Sequence, residues 1–241
     1  MKVIEFLGPP GVGKTYLHQQ LWDKQYIIAG GELQCRLLLR SIGKEWIYDV
    51  IPFRIIYPIC KQLWVRIFRM RLFRDFLANH PEVIVAAGTH MGNISRNDIT
   101  NCWHLIIHSA CEYQLANEWA FGDEIIVFHD GLVQLSYMFS EVWENMSIPE
   151  SWIYSIPCPD HVVHVDASSK TIFERMINRP KGKPNYFHGL EDEEAINIIE
   201  SQREITYDFC QVLSDRGASI HYVWNDSESR PKLPEIFSNT D

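Results

Sequence analysis

An α/β fold of three layers, with helices on both faces of a parallel sheet, is predicted by two observations. Short apolar runs recur along the chain with helix-like stretches between them, and the first run leads straight into a glycine-rich turn and a helix. Strands that alternate with helices pair in parallel, because each crossover then has the length to return to the same edge of the sheet. Of 241 residues 46% are hydrophobic and 22% charged, which is the makeup of one sizeable core rather than of a disordered or fibrous chain. We expect a single domain over 1–241, with a helical acceptor-side insertion at about 31–120 and a lid at about 175–192.

The first strand is Val3-Ile4-Glu5-Phe6-Leu7, and Gly8-Pro9-Pro10-Gly11-Val12-Gly13-Lys14-Thr15 follows it directly. That octapeptide fills every fixed position of a Walker A phosphate loop. Its glycines let the backbone turn tightly with N–H groups inward, so that loop and helix N-terminus wrap a β-phosphate. Lys14 supplies an ammonium for the β- and γ-phosphate oxygens, and Thr15 a hydroxyl for Mg²⁺. Gly8, Pro10, Gly11, Val12, Gly13, Lys14, Thr15 and Tyr16 are therefore the predicted contacts to a nucleoside triphosphate. Leu17, Leu21 and Trp22 recur at helical spacing and continue the helix.

Further strands are predicted at 125–128, 161–165 and 219–223, each a short apolar run. The run at 83–87 suits a fifth strand, while Asn79, Pro81 and Glu82 before it equally make a helix start. Between 31 and 120 the pattern is mostly helical. Within it Arg54, Lys61, Arg66, Arg69, Arg71 and Arg74 face only Asp75, interleaved with Trp64, Phe68, Phe73 and Phe76. Read as one helix over 54–77, Trp64, Val65, Phe68, Leu72 and Phe76 share a face. A core helix with snorkelling or paired arginines fits, and so do a wall for an anionic substrate, a subunit contact or an anionic membrane surface.

At the end of the 125–128 run stand His129, Asp130 and Gly131. An acid at the carboxyl end of an apolar strand is the Walker B arrangement, beside the phosphate loop. Asp130 can there organise Mg²⁺ together with Thr15, or take a proton from an acceptor hydroxyl; capping the helix at 132–146 is its bland alternative. Strand alternation turns His129 to the other side as a packed histidine. After 161–165 come Asp166 and a helix with Arg175 and Arg179, then Pro180-Lys181-Gly182-Lys183-Pro184. An i, i+4 arginine pair with a flexible cationic flap suits a lid that stabilises a transferring phosphoryl group; a solvated helix end uses the same residues. Lys14, Asp130, Arg175 and Arg179 are the catalytic candidates.

Composition narrows the partners. A net charge of −9 argues against general affinity for nucleic acid. Six cysteines, far apart and without a C-x-x-C pair, and no signal peptide before the first strand together predict free thiols in a reducing cytoplasm. No run of about 18 uncharged apolar residues offers a membrane span. Cys102, His104, His108 and Cys111 invite a metal reading, since His104, His108 and Cys111 share one helical arc turned toward solvent or substrate. Neither H-E-x-x-H nor paired C-x-x-C spacing accompanies them.

Taken in order, the octapeptide at 8–15, Asp130-Gly131 at a strand end, Asp166 before a helix with Arg175 and Arg179, and a final short strand resemble the nucleoside and nucleotide kinase group of P-loop NTPases, thymidylate and deoxynucleoside kinases in particular. The resemblance implies a roughly five-stranded parallel sheet, ATP with Mg²⁺, and an arginine-bearing lid. It further implies base contacts from the lid, including Arg179, and from the loop Asn225-Asp226-Ser227. Kinases of this group follow the strand-end acid with an arginine for the acceptor, where this chain has Gly131. The expected activity is ATP-dependent transfer of the γ-phosphoryl group to a small-molecule acceptor such as a nucleoside, nucleotide or sugar. A regulatory or ATP-hydrolysing protein without an acceptor is the alternative. An AAA+ machine would place glutamate after Asp130, and a GTPase would need an Asn-Lys-x-Asp motif that is missing.

Overall fold

The structure is a computed structural model and describes residues 1–21, 26–64, 68–90, 96–140, 148–179, 187, 189–226 and 233–237. Its frame is set by β1 (Lys2–Leu7), which is buried on both faces and apolar there except for Glu5. Ile4 and Phe6 bury into one layer with Val12 and Leu17, while Val3 and Leu7 bury into the opposite layer. A strand buried on both faces belongs in the middle of a parallel sheet. β1 pairs in parallel with β3 (Ile125–Phe128) on one side and with β4 (His161–Asp166) on the other. β2 (Ile27–Ile28) and β5 (Ser219–Trp224) extend the sheet to the order β2-β3-β1-β4-β5, all parallel.

Helices cover both faces. α1 (Lys14–Gln19) follows the phosphate loop and shares its layer with α10 (Ser169–Ile177) and the first half of α11 (Asp192–Asp215), through Leu17, Ile172, Met176 and Ile199. The other layer holds α2 (Gly31–Ser41), α3 (Trp46–Val50), α4 (Phe53–Leu63), α5 (Arg69–Asn79), α6 (Pro81–His90), α7 (Arg96–Trp119), α8 (Leu132–Ser140) and α9 (Glu150–Ser155). The insertion between β2 and β3 is thus helical, as expected.

Two open readings of the insertion can be followed in the structure. The run at 83–87, which suits strand or helix, is the middle of α6. Val83, Ala86 and Ala87 are buried at helical spacing while Val85 is 68% exposed, so the period is helical although the residue types favour a strand. The fifth strand is β2, only two residues long. The arginine-rich stretch comprises α4 and α5, and residues 65–67 between them lie outside the described residues. Trp64, Leu72 and Phe76 are buried, as one shared face requires. Among its arginines, Arg71 pairs with Glu118 at 2.6 Å and Arg74 with Asp75 at 2.8 Å. Arg69 lies 3.2 Å from His104. Among the described residues no helix is long and apolar enough to cross a membrane, and all six cysteines are free thiols.

Candidate active site

The phosphate loop sits where β1 ends, between the carboxyl ends of β3 and β4. Its first N–H, on Gly8, donates to Gln134 Oε1 at 3.2 Å, tying the loop to α8. Gly13 stands at φ +102°, and a Cβ there would lie 2.2 Å from Asn225 Nδ2, so only glycine fits. Lys14 is buried and donates through Nζ to the carbonyls of Gly8 at 2.5 Å and Pro9 at 3.1 Å. Its ammonium is therefore already folded over the loop that would hold the phosphates. Val12 is buried and Tyr16 partly exposed.

On the opposite rim Asn225 donates to the carbonyl of Val12 at 2.7 Å, and Arg175 reaches the same carbonyl at 3.4 Å. Asn225, a predicted base contact, and Arg175, a predicted catalytic arginine, both come to the loop. Asp226 is held beside them by Ser168, whose Oγ caps α10 and donates to Asp226 at 2.7 Å. Arg179 differs from expectation. α10 ends at Ile177, so Arg179 lies beyond the helix, exposed, and the two arginines do not share a helical side. Residues 180–186 and 188 of the predicted lid, Ser227 and the end of the 132–146 helix lie outside the described residues.

Thr15, His129 and Asp130 form a chain of contacts. Thr15 Oγ1 lies 3.2 Å from His129 Nε2, and His129 Nδ1 lies 3.0 Å from Asp130 Oδ2. The sequence turns His129 away from the site, but β3 ends at Phe128, and past that residue strand alternation no longer governs. The Asp130 backbone is fixed by Ser109 of α7, which donates to its carbonyl at 3.2 Å. Desolvation pushes the Asp130 carboxyl up, but the His129 hydrogen bond and the positive fields of His129, Lys14 and His18 together hold it below the ordinary aspartate range. Asp130 is thus an ionised oxygen on the far side of the His129 ring from the Thr15 hydroxyl, so Thr15 would ligate Mg²⁺ directly and Asp130 would reach it through a bound water, phosphate and water completing the shell.

Gly131, the departure from the kinase pattern, has a steric cause. Glu5 of β1 reaches under the start of α8 and accepts from the Val133 N–H at 2.9 Å. A Cβ on Gly131 would lie 2.3 Å from Glu5 Oε2. The space an arginine side chain would start from is filled by the buried carboxyl group of Glu5.

Beside this loop is a cavity of about 470 Å³. His18 of α1, Ile28 and Ala29 at the end of β2, and Gly31 and Glu32 of α2 form one side; Tyr48, Phe53 and Tyr57 of α3 and α4 form the other. The Phe53 and Tyr57 rings stack at 5.2 Å, and Tyr48 meets Phe53 edge-on at 6.5 Å. Burial raises the Glu32 carboxyl, opposed in part by hydrogen bonds from the Tyr48 hydroxyl and the Ile28 backbone and by the field of Arg36. None of these residues stands in a recognisable sequence motif. The one available signal was that Gly30-Gly31-Glu32 follows an apolar pair as Gly131 follows β3, a polar turn at the carboxyl end of a strand.

The candidate metal cluster does not assemble. Cys102 and Cys111 are buried, and Cys111 donates to the Arg69 carbonyl at 3.2 Å instead of facing solvent or substrate. His108 approaches Glu112 at 3.6 Å, and Gln34 donates to Glu112 at 2.9 Å. Among the described residues no group of three or more histidine, cysteine or acidic side chains is arranged to hold a metal ion.

No protein-family model and no curated protein matches the chain. Among solved structures it is similar to a shikimate kinase from Bacteroides thetaiotaomicron, at 13% identity over 95% of this chain and 89% of that one, with a TM-score of 0.37. It is also similar to a deoxyadenosine kinase from M. mycoides with bound dATP, at 13% identity over 95% of this chain and 93% of that one, with a TM-score of 0.45. The α/β architecture with its phosphate loop is read from the sheet order and the loop geometry themselves.

Proposed function

We propose that the chain is a P-loop phosphotransferase that moves the γ-phosphoryl group of ATP to the hydroxyl of a small molecule held in the cavity between β2 and α4. The observation that supports this best is a shared wall. His18, four residues after Lys14 on the same helix, borders the cavity, so a donor site and an acceptor-sized space lie one turn apart along the same face of α1. Lys14 and the loop amides would hold the β- and γ-phosphates, and Arg175 and Asn225 the nucleotide on the outer rim. Thr15 directly and Asp130 through a bound water would hold Mg²⁺, which when bound neutralises charge on the phosphate oxygens.

Two carboxylates then divide the work. Asp130, with its pKa depressed, stays ionised for the metal; Glu32, with its pKa raised by burial, is suited to accept a proton. As the acceptor oxygen bonds to the γ-phosphorus, the bond from that phosphorus to the β–γ bridging oxygen breaks, ADP leaves, and the hydroxyl proton passes to Glu32. Arg179 and the lid at 175–192 would close over the transferring group.

The test is an ATP-turnover assay with and without candidate hydroxyl compounds. Turnover is expected only with an acceptor, and Lys14→Ala is expected to abolish both turnover and the thermal stabilisation given by Mg²⁺-ATP. Equal ATP hydrolysis with and without every acceptor would return the chain to the regulatory or ATP-hydrolysing class.

A further inference from the structure

The outer side of α3 and α4 leaves large apolar side chains in solvent. Ile42, Trp46, Val50, Ile55 and Ile59 are each more than half exposed, and all lie in one short stretch of chain. Trp46 and Val50 stand one turn apart on α3, and Ile55 and Ile59 one turn apart on α4, so each pair shares a side of its helix. Both helices pack on α2, and the Tyr48 ring meets Phe53 at their junction, so the two outward sides adjoin. The inward side of α4 is a separate surface, buried through Ile56 and Cys60. Single apolar residues are ordinary on a protein surface, whereas a contiguous group of them marks a binding face.

Charge identifies what covers this face. Between residues 42 and 63 the exposed ionisable side chains are Lys44, Arg54 and Lys61 against one acid, Asp49. Glu45 is engaged by Arg36 at 3.2 Å and by Arg40. At 3.6 residues per turn, Arg54 and Lys61 fall on one flank of the exposed side of α4, and Ile55 and Ile59 on the other. The chain as a whole carries a charge of −9, so a cationic and apolar face is an exception on it. A second copy seated here by two-fold symmetry would bring the same cations toward one another. An anionic lipid surface complements both flanks. Its phosphates match the lysines and Arg54, its acyl boundary takes the isoleucines, and an indole such as that of Trp46 suits the headgroup level.

We infer that the outer face of α3 and α4 docks this chain on the surface of an anionic membrane. Ile42, Trp46, Val50, Ile55 and Ile59 enter the headgroup boundary, and Lys44, Arg54 and Lys61 meet the lipid phosphates. The contact lies on the bilayer and does not span it, in keeping with the absence of a sufficiently long apolar helix among the described residues. Docking does not depend on the phosphotransferase reading. It would nevertheless hold the cavity near the lipid surface, because α4 also supplies Phe53 and Tyr57 to the cavity wall.

The experiment is flotation of the full chain with two kinds of vesicle, phosphatidylcholine alone and phosphatidylcholine with about one third phosphatidylglycerol. The chain is expected to float with the anionic vesicles, less so as salt rises, and to stay behind with the neutral ones. Ile55→Asp combined with Ile59→Asp is expected to lower binding about tenfold or more, since two apolar anchors are lost. Arg54→Glu combined with Lys61→Glu is expected to abolish the difference between the two vesicles. All four positions are exposed, so both variants are expected to keep the wild-type Tm. If the isoleucine variant loses Tm, Ile55→Ser with Ile59→Ser takes its place in the same comparison. No flotation with anionic vesicles overturns the inference, and so does equal flotation with both kinds. Undiminished binding in a folded isoleucine variant overturns it as well. A dimer that light scattering detects without vesicles and that the isoleucine variant loses, with no flotation of the wild type, replaces it with a contact between copies.

Discussion

Gly131 and Glu5 fix each other's size. Glu5 lies in the central strand, fully buried, and its carboxyl takes the place of a capping group at the start of α8. The glycine that leaves the Walker B end without an arginine is therefore the residue that makes room for this contact. Gly131→Ala is expected to destabilise the protein by about 1–3 kcal/mol, the usual range for overpacking a closed site. Urea unfolding would read this as a lower midpoint, and an unchanged midpoint would refute the steric account. The sequence shows glycine at 131 but not the reason, because the clash runs between positions 5 and 131. His129 was hidden in the same way, since its position depends on where β3 stops.

At the scale of elements, α10 connects the end of β4 to the rim of the phosphate loop. Ser168 accepts from the Thr171 N–H at 3.3 Å and donates to Asp226, next to Asn225 on the Val12 carbonyl. Ser168→Ala removes both contacts, and a loss of about 0.5–2 kcal/mol in urea unfolding is expected from the cap alone. If the cap also positions the 225–226 turn, Mg²⁺-ATP affinity measured calorimetrically falls in the same variant. Elements near the loop were legible because their strands are mostly apolar runs, buried on both faces, in which Glu5 and His164 are the buried polar exceptions. β2 was not legible, since two isoleucines give no period to read. α6 stayed open between strand and helix because Val83, Ile84 and Val85 have strand-like side chains, while its burial follows a helical period. The cavity was invisible for a further reason: its residues come from α1, β2, α2, α3 and α4, and only packing brings them together.

Across the whole molecule, buried acids and histidines give stability a pH dependence of definite sign. Burial raises Glu5 from 4.5 to about 8, against backbone hydrogen bonds from Val133 and Gln134, and raises Glu112 to about 7, against hydrogen bonds from Gln34 and Gly30. The unfolded chain releases these two protons near the ordinary glutamate value while the folded chain retains them. Their contribution to stability is therefore complete below about pH 4.5 and is lost as pH rises through 7 and 8. His18 and His164 act in the opposite direction. Burial lowers both from 6.5 to about 4, so the unfolded state holds more protons in that interval and stability rises with pH there. Below pH 6.5 the two groups oppose each other, and between about 6.5 and 8 the carboxyls act without them. Urea-unfolding free energies measured across pH 5 to 9 are thus expected to fall through the upper window in the wild type. Glu5→Gln keeps an acceptor for the Val133 N–H but has no proton to lose, so its fall over that window should be shallower, with Glu112 supplying what is left. An unchanged slope in Glu5→Gln would mean that Glu5 is already ionised at neutral pH, with its charge stabilised by the N-terminus of α8.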